Sequence, residues 1–199
     1  MLKVGITGGI GSGKSTVCKV FDTLSIPVFN ADDAAKELMN EDEALKKNIQ
    51  STFGNEIYKE GKLDRARLAQ IVFNDKTKLE MLNSFVHPAT LKYFSEWINQ
   101  YTDKPYILHE AAILFEAGVA NRMDKVITVS APEKLRIERI MKRDNVTEEA
   151  VRARMKNQWS EEERNKRADY IIYNDESQLV IPQVMKIHEE LLKLSSSNP

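Results

Sequence analysis

The sequence predicts an α/β fold, a three-layer α/β/α domain on a parallel sheet, carrying one helical substrate-binding insertion and one arginine-rich helical lid. Three observations predict it. Short apolar runs at 2–6, 26–29, 106–109, 126–129 and 170–173 alternate with helical patterns, the rhythm of a parallel sheet flanked by helices. Residues 33–100 show helical spacing and no clear strand, too long a stretch for a simple crossover. A glycine-rich run lies between the first strand and the first helix.

That run is Gly8-Gly9-Ile10-Gly11-Ser12-Gly13-Lys14-Ser15-Thr16, with the spacing glycine, four residues, Gly-Lys-Ser/Thr. Leu2 to Ile6 precede it as a buried strand; Val17, Val20, Phe21 and Leu24 follow at helical spacing. On such a strand-to-helix turn, successive main-chain N–H groups wrap a polyphosphate, and the helix N-terminus faces it with partial positive charge. The run is therefore expected to be a P-loop in which Gly11, Ser12, Gly13, Lys14, Ser15 and Thr16 hold ATP. Lys14 would reach the β- and γ-phosphates, and the Ser15 hydroxyl would complete a Mg²⁺ shell.

The bulk composition narrows the surroundings. The 199 residues carry a net charge of −1, so no basic field points to nucleic acid. No apolar run approaches the roughly 20 residues of a membrane span, and the N-terminus reads as strand at once, without a signal-peptide pattern. Cys18 is the single cysteine, read as a packed side chain. A cytoplasmic setting fits all of this. The oligomeric state is read no further than a monomer or a weak homo-oligomer.

Taken in order, the first helix ends near Leu24-Ser25, and Pro27 opens the second strand, where its missing N–H is tolerated. Asn30-Ala31-Asp32-Asp33 follows the strand's carboxyl end, the edge at which open α/β sheets hold ligands. One of Asp32 and Asp33 is expected to cap the helix 34–39, leaving the other for chemistry. Gly54 and Gly61 break the insertion around Ile57-Tyr58, and His87-Pro88 is expected to interrupt its longest helical pattern. Arg65 and His87 stand beside helix boundaries, open to a substrate. Glu110 closes the third strand, either as an acid near the metal or as an exposed strand end. Residues 195–199 read as a frayed tail.

Pro132 starts a helix carrying Arg136, Arg139 and Arg143, and Thr147 reads as the next N-cap. Arg152, Arg154, Lys156, Arg164, Lys166 and Arg167 follow among Glu161, Glu162 and Glu163. This is either a solvated hairpin of ion pairs or a lid whose arginines fold over phosphates; beside a P-loop the lid is the better reading for Arg139 or Arg143. The segments expected are a core at 1–32, 104–143 and 168–199, an acceptor-binding insertion at 33–103 and a lid at 144–167. A GTPase switch fits poorly, since no Asp-x-x-Gly occurs. A small kinase fits best, with another nucleoside or nucleotide kinase, or a non-catalytic nucleotide switch, as the alternatives.

Over nearly the whole chain these residues resemble the dephospho-CoA kinase family. The opening Gly5-Ile6-Thr7-Gly8-Gly9 run through Val17 looks like that family's signature, and Asn30-Ala31-Asp32 matches its Asp-Ala-Asp with Asn30 for the first acid. Leu63-Asp64-Arg65, His87-Pro88, Ile113 to Gly118, Arg143-Asp144, Gln158, Ala168-Asp169 and Asn174 fall in matching order, with Ala112 where the family usually has proline. The resemblance implies transfer of the ATP γ-phosphoryl group to the ribose 3′-hydroxyl of dephospho-CoA, the last step of coenzyme A synthesis. It implies Asp32 as base, since Asn30 cannot ionise, with Lys14 and Arg143 as catalytic cations and Arg139 on the phosphates. It further implies Asn174 near adenine, and Thr7, Asp32, Arg65 and His87 at the acceptor.

Overall fold

The computed structural model describes residues 1–73 and 75–197. In chain order the elements are β1 (Leu2–Thr7), α1 (Lys14–Thr23), β2 (Val28–Asn30), α2 (Ala31–Glu41), α3 (Glu43–Phe53), β3 (Tyr58–Lys59), β4 (Lys62–Leu63), α4 (Arg65–Phe73) and α5 (Lys76–Ile98). There follow β5 (Tyr106–Glu110), β6 (Lys125–Ser130), α6 (Glu133–Asp144), α7 (Glu148–Met155), α8 (Glu161–Arg167), β7 (Tyr170–Tyr173) and α9 (Val180–Ser197). They group into two compact units: residues 1–30 with the chain from Tyr101 onward, and residues 31–100.

The first unit is a five-stranded sheet in the order β2-β5-β1-β6-β7, every neighbouring pair parallel. Strands buried on both faces read as continuous apolar runs, which is why they stand out in the sequence. All five residues of β5 and the last four of β1 are buried. One face packs on α1 and α9 through Val4, Ile6, Phe21, Tyr106, Leu108 and Leu191, among others. On the opposite side Gly5 leaves room for Leu114, since a Cβ there would lie 2.6 Å from Leu114 Cδ2. The parallel register brings Ile6 and Asn30 level with Glu110, so the carboxyl ends of these strands share one edge.

The second unit packs its four helices around Leu45, Ile49, Phe53, Ile57, Leu68, Leu82 and Val86. Two expectations are corrected here. A short hairpin, β3 with β4, occupies a stretch read as helices and breaks; Glu60 and Gly61 take positive φ of 51° and 79°, the backbone of a two-residue turn. Helix α5 also runs through Pro88 without ending. Proline removes one main-chain bond, but Leu82, Val86, Thr90 and Phe94 bury at steps of four on both sides of it, and that continuous packing holds the helix.

Two termini differ as well. Helix α2 begins at Ala31, so Asp32 and Asp33 both lie in its first turn, facing its dipole, and neither precedes it as a cap. At the other end α9 continues to Ser197, with the hydroxyls of Ser195, Ser196 and Ser197 bonded to carbonyls of Leu192 and Lys193. Residues 198–199 of the expected tail lie outside the described residues. Among the described residues no helix is long and apolar enough to cross a membrane.

Candidate active site

The glycine run forms a loop between β1 and α1. Gly11 and Gly13 adopt φ of 80° and 95°, a left-handed backbone that side chains resist, and Gly13 is the N-cap of α1. Ser12 N–H donates to the Gly9 carbonyl at 3.0 Å, while Thr16 and Val17 N–H turn back to Gly13. Lys14 Nζ donates to the Gly8 carbonyl at 3.0 Å, folded over the loop it belongs to. Thr7 Oγ1 and Ser12 Oγ are buried and, among the described residues, make no hydrogen bond.

Two arginines converge on this loop. A Cβ at Gly9 would collide with the Arg136 guanidinium and come within 2.8 Å of Arg164 Nη2, so a side chain there would have to push both arginines aside. Arg136 and Arg164 are 7% and 2% exposed, rare burial for a group of such charge. Arg136 Nε donates to the Ala131 carbonyl at 3.0 Å and lies 3.8 Å from Glu161; Arg164 Nη1 donates to the Trp159 carbonyl. Burial lowers the pKa of both guanidiniums, and for Arg164 the neighbouring Arg136 charge lowers it further, against Glu116 and Glu161. Such a clustered positive pair suits an anion at the loop.

Asn174 and Arg139 meet at the Gly13 end. Asn174 Nδ2 donates to the Ser12 carbonyl at 2.8 Å, and its main-chain oxygen accepts from Arg139 Nη1 at 3.1 Å. Arg139 also stands 3.5 Å from Glu176. Arg143 is not brought to this cluster: it makes a two-pronged pair with Asp144, whose carboxylate Arg154 also grips at 2.7 Å. Those cations hold the Asp144 carboxyl down to about 2.

Segment 158–164 seats on the same loop. The Gln158 carboxamide accepts from Ile10 N–H at 2.8 Å and donates to the Ala112 carbonyl at 3.1 Å. Trp159 N–H donates to Glu116 Oε1 at 2.7 Å, its ring stacks on Phe115 at 5.6 Å, and the Arg167 guanidinium lies 4.6 Å from the same ring's centroid. Cys18 sits near both Glu110 and Lys14; burial, then the Glu110 charge, pushes its thiol up to about 12, which leaves it inert.

Ser15 is exposed in the first turn of α1, its hydroxyl an oxygen donor of the hard kind that Mg²⁺ prefers. Among the described residues no cluster of three His, Cys, Asp or Glu forms a cage. Mg²⁺ beside a nucleotide needs none, because it keeps waters and takes phosphate oxygens. The residues present fit that ion.

The remaining candidates belong to the helical unit. Asp32 is exposed in the first turn of α2, two residues past the end of β2. Arg65 opens α4 and lines a cleft of about 570 Å³ with Asp33, Lys36, Asn40 and Lys62. His87 is half-buried within α5, and burial lowers its pKa.

Comparison with known proteins decides the family. The profile of the dephospho-CoA kinases matches residues 2–179. A Porphyromonas gingivalis dephospho-CoA kinase is 40% identical over 190 residues, covering 95% of this chain and 94% of that protein. A Campylobacter jejuni dephospho-CoA kinase structure superposes with a TM-score of 0.70 at 31% identity, covering 96% and 97%. A Thermus thermophilus crystal structure reaches 0.86 at 33%, covering 95% and 96%. The chain belongs to the dephospho-CoA kinase family. It is a P-loop kinase for the final step of coenzyme A biosynthesis, a phosphotransferase with an alcohol as acceptor.

Against that family's usual pattern, Ala112 replaces a proline, yet the turn after β5 closes: Ala117 and Gly118 N–H bond to Ile113 and Phe115 carbonyls at 2.9 Å. Sequence reasoning weighted Arg139 and Arg143 and passed over Arg136, Arg164 and the bridge of Gln158. Signals for the first two existed. Arg136 neighbours Ile137 and stands four residues before Ile140, on the buried stripe of α6. Helix α8, Glu161–Arg167, has no apolar residue at all, so it has to seat through a polar one, and only Arg164 is buried.

Proposed function

We propose that the triphosphate of ATP lies along residues 11–16, with main-chain N–H groups of Gly11, Ser12, Gly13, Ser15 and Thr16 on its oxygens and Lys14 Nζ exchanging the Gly8 carbonyl for the β- and γ-phosphates. Arg136 and Arg164 meet the charge that spreads over the transferring phosphoryl group, and Arg143 joins them on leaving Asp144. The ribose 3′-hydroxyl of dephospho-CoA attacks γ-phosphorus, its proton passes to the Asp32 carboxylate, the bond to the β,γ-bridging oxygen breaks, and ADP leaves. Ser15 would hold Mg²⁺, which when bound neutralises charge on the β- and γ-phosphates. Asn174 and Arg139 brace the adenine end of the loop. Thr7, Arg65 and His87 hold the acceptor, and the mixed-charge cleft beside Arg65 supports a nucleotide-bearing ligand in the helical unit. Segment 144–167 acts as the lid, hinged where Gln158 and Arg164 keep its second half seated on the glycine loop. The enzyme works in the cytoplasm as a monomer or weak homo-oligomer, without nucleic-acid or membrane partners.

The observation that carries this reading is the convergence of two buried guanidiniums on Gly9 of a left-handed glycine loop. An acceptor panel tests it. ATP consumption is followed with dephospho-CoA, adenosine and several nucleoside monophosphates in turn, and the product is mapped by phosphorus NMR. Only dephospho-CoA should support turnover, with the new phosphate on the 3′-oxygen. Equal turnover of a monophosphate would make this a nucleotide kinase, and slow hydrolysis indifferent to any acceptor would make it a switch.

A further inference from the structure

We propose that Gln158 is a positioning residue for the ATP-binding loop, tying the loop's crest to the end of β5 without touching substrate. Ile10 stands at that crest between Gly9 and Gly11, the second with φ of 80°, so the backbone on either side is soft. Gln158 Oε1 accepts the Ile10 N–H at 2.8 Å, across 148 positions of chain, while its Nε2 donates to Ala112 at 3.1 Å. Ala112 lies two residues beyond β5, the strand that pairs directly with β1. One carboxamide thus satisfies a donor of the loop and an acceptor of the neighbouring strand's turn. With both polar atoms engaged by main chain, it acts through the loop.

The residue is itself held in place. The next N–H, that of Trp159, bonds Glu116 at 2.7 Å, and the Trp159 ring stacks on Phe115 at an interplanar angle of 2°. The Ile10 side chain packs with Ile137, Ile140 and Val151, so crest side chain and crest main chain are both anchored to the segment 137–158. A loop fixed before ATP arrives loses less freedom on binding, and its amides already face the phosphates. Gln158 therefore sets ATP affinity more than the rate of transfer. This rests on the reading that residues 11–16 hold the triphosphate.

The experiment compares wild type with Gln158→Met, a change that keeps length and volume and removes both bonds. ATP Kd is measured by calorimetry, alongside kcat, the KM for each substrate and the melting temperature. Gln158→Met should raise ATP Kd and KM about tenfold, leave kcat at saturating ATP within threefold, and leave the KM for dephospho-CoA unchanged. An unchanged ATP Kd overturns the proposal, whether or not the melting temperature drops. Amide exchange of Ile10 in ligand-free wild type supplies a readout that does not depend on the variant's folding: protection is expected, and exchange at the rate of an exposed loop amide overturns the role. If wild type itself fails to bind ATP, the loop assignment falls together with it.

Discussion

The carboxamide of Asn174 donates to the main-chain oxygen of Ser12 over 2.8 Å, joining the end of β7 to the glycine loop across 162 positions of chain. The loop's Gly13 end is thereby fixed from outside, and a Cβ at Gly13 would have no room beside Asn174. Arg139, bonded to the Asn174 carbonyl at 3.1 Å, holds the brace itself.

Asn174→Ala should therefore weaken ATP binding. A partly buried hydrogen bond contributes about 1 kcal/mol, or roughly fivefold in an equilibrium. The expected result is a KM for ATP raised about fivefold with a melting temperature lowered by only a few degrees, read from steady-state kinetics and a thermal scan. An unaltered KM would separate Asn174 from the nucleotide site.

Gly9→Ala probes the arginine pair. The added methyl meets two guanidiniums whose positions are held by bonds to Ala131 and Trp159, so overpacking should cost about 1–3 kcal/mol of stability. Arg136→Ala in the same chain should recover part of that loss, giving a coupling above about 0.5 kcal/mol in a urea double-mutant cycle. Activity should stay low in the double variant because the cation is gone. Additive stabilities would mean that the two residues do not touch.

What was legible in the sequence follows the same physics. The glycine loop could be read because its spacing encodes backbone conformation directly, as φ of 80° and 95° at Gly11 and Gly13 bear out. The central strands β1, β5 and β6 could be read because double burial leaves continuous apolar runs, and the partly buried edge strands β2 and β7 still carry short apolar runs. The hairpin of β3 and β4 could not, since two residues per strand carry no period. Pro88 misled because a local breaker was outweighed by packing on both sides of it. Arg164 and Arg167 are three residues apart in one charged run; one is 2% exposed and the other open, a difference made by tertiary contacts alone.

Buried His109 sets an acid limit on stability. Burial beside Phe29 lowers its pKa from 6.5 to about 4. Above pH 6.5 folded and unfolded chains are both neutral there, and the residue contributes no pH dependence. Between pH 6.5 and 4 the unfolded chain takes up a proton that the folded chain refuses, so stability falls as pH falls, by about 2 kcal/mol at pH 5. His109→Leu should remove that increment. Urea midpoints at pH 7.5 and 5 in both proteins would show it, since His87 and His188, also depressed by burial, remain in each. An equal loss in the two proteins would refute the assignment.

Asp32 offers the sharpest kinetic test. It is exposed in the first turn of α2, its neighbour Asp33 is engaged by Lys36 at 2.5 Å, and Asn30 cannot take a proton. A base acting on the acceptor hydroxyl contributes on the order of 10²–10⁴ in rate. Asp32→Asn preserves shape and removes the charge, so kcat should fall by at least about a hundredfold, close to 2.7 kcal/mol of barrier. ATP affinity, which the proposed reading assigns to the glycine loop, should stay within about twofold in calorimetry. A kcat within tenfold of wild type would pass the proton to another group, and a parallel loss of ATP binding would make Asp32 a determinant of the nucleotide site instead.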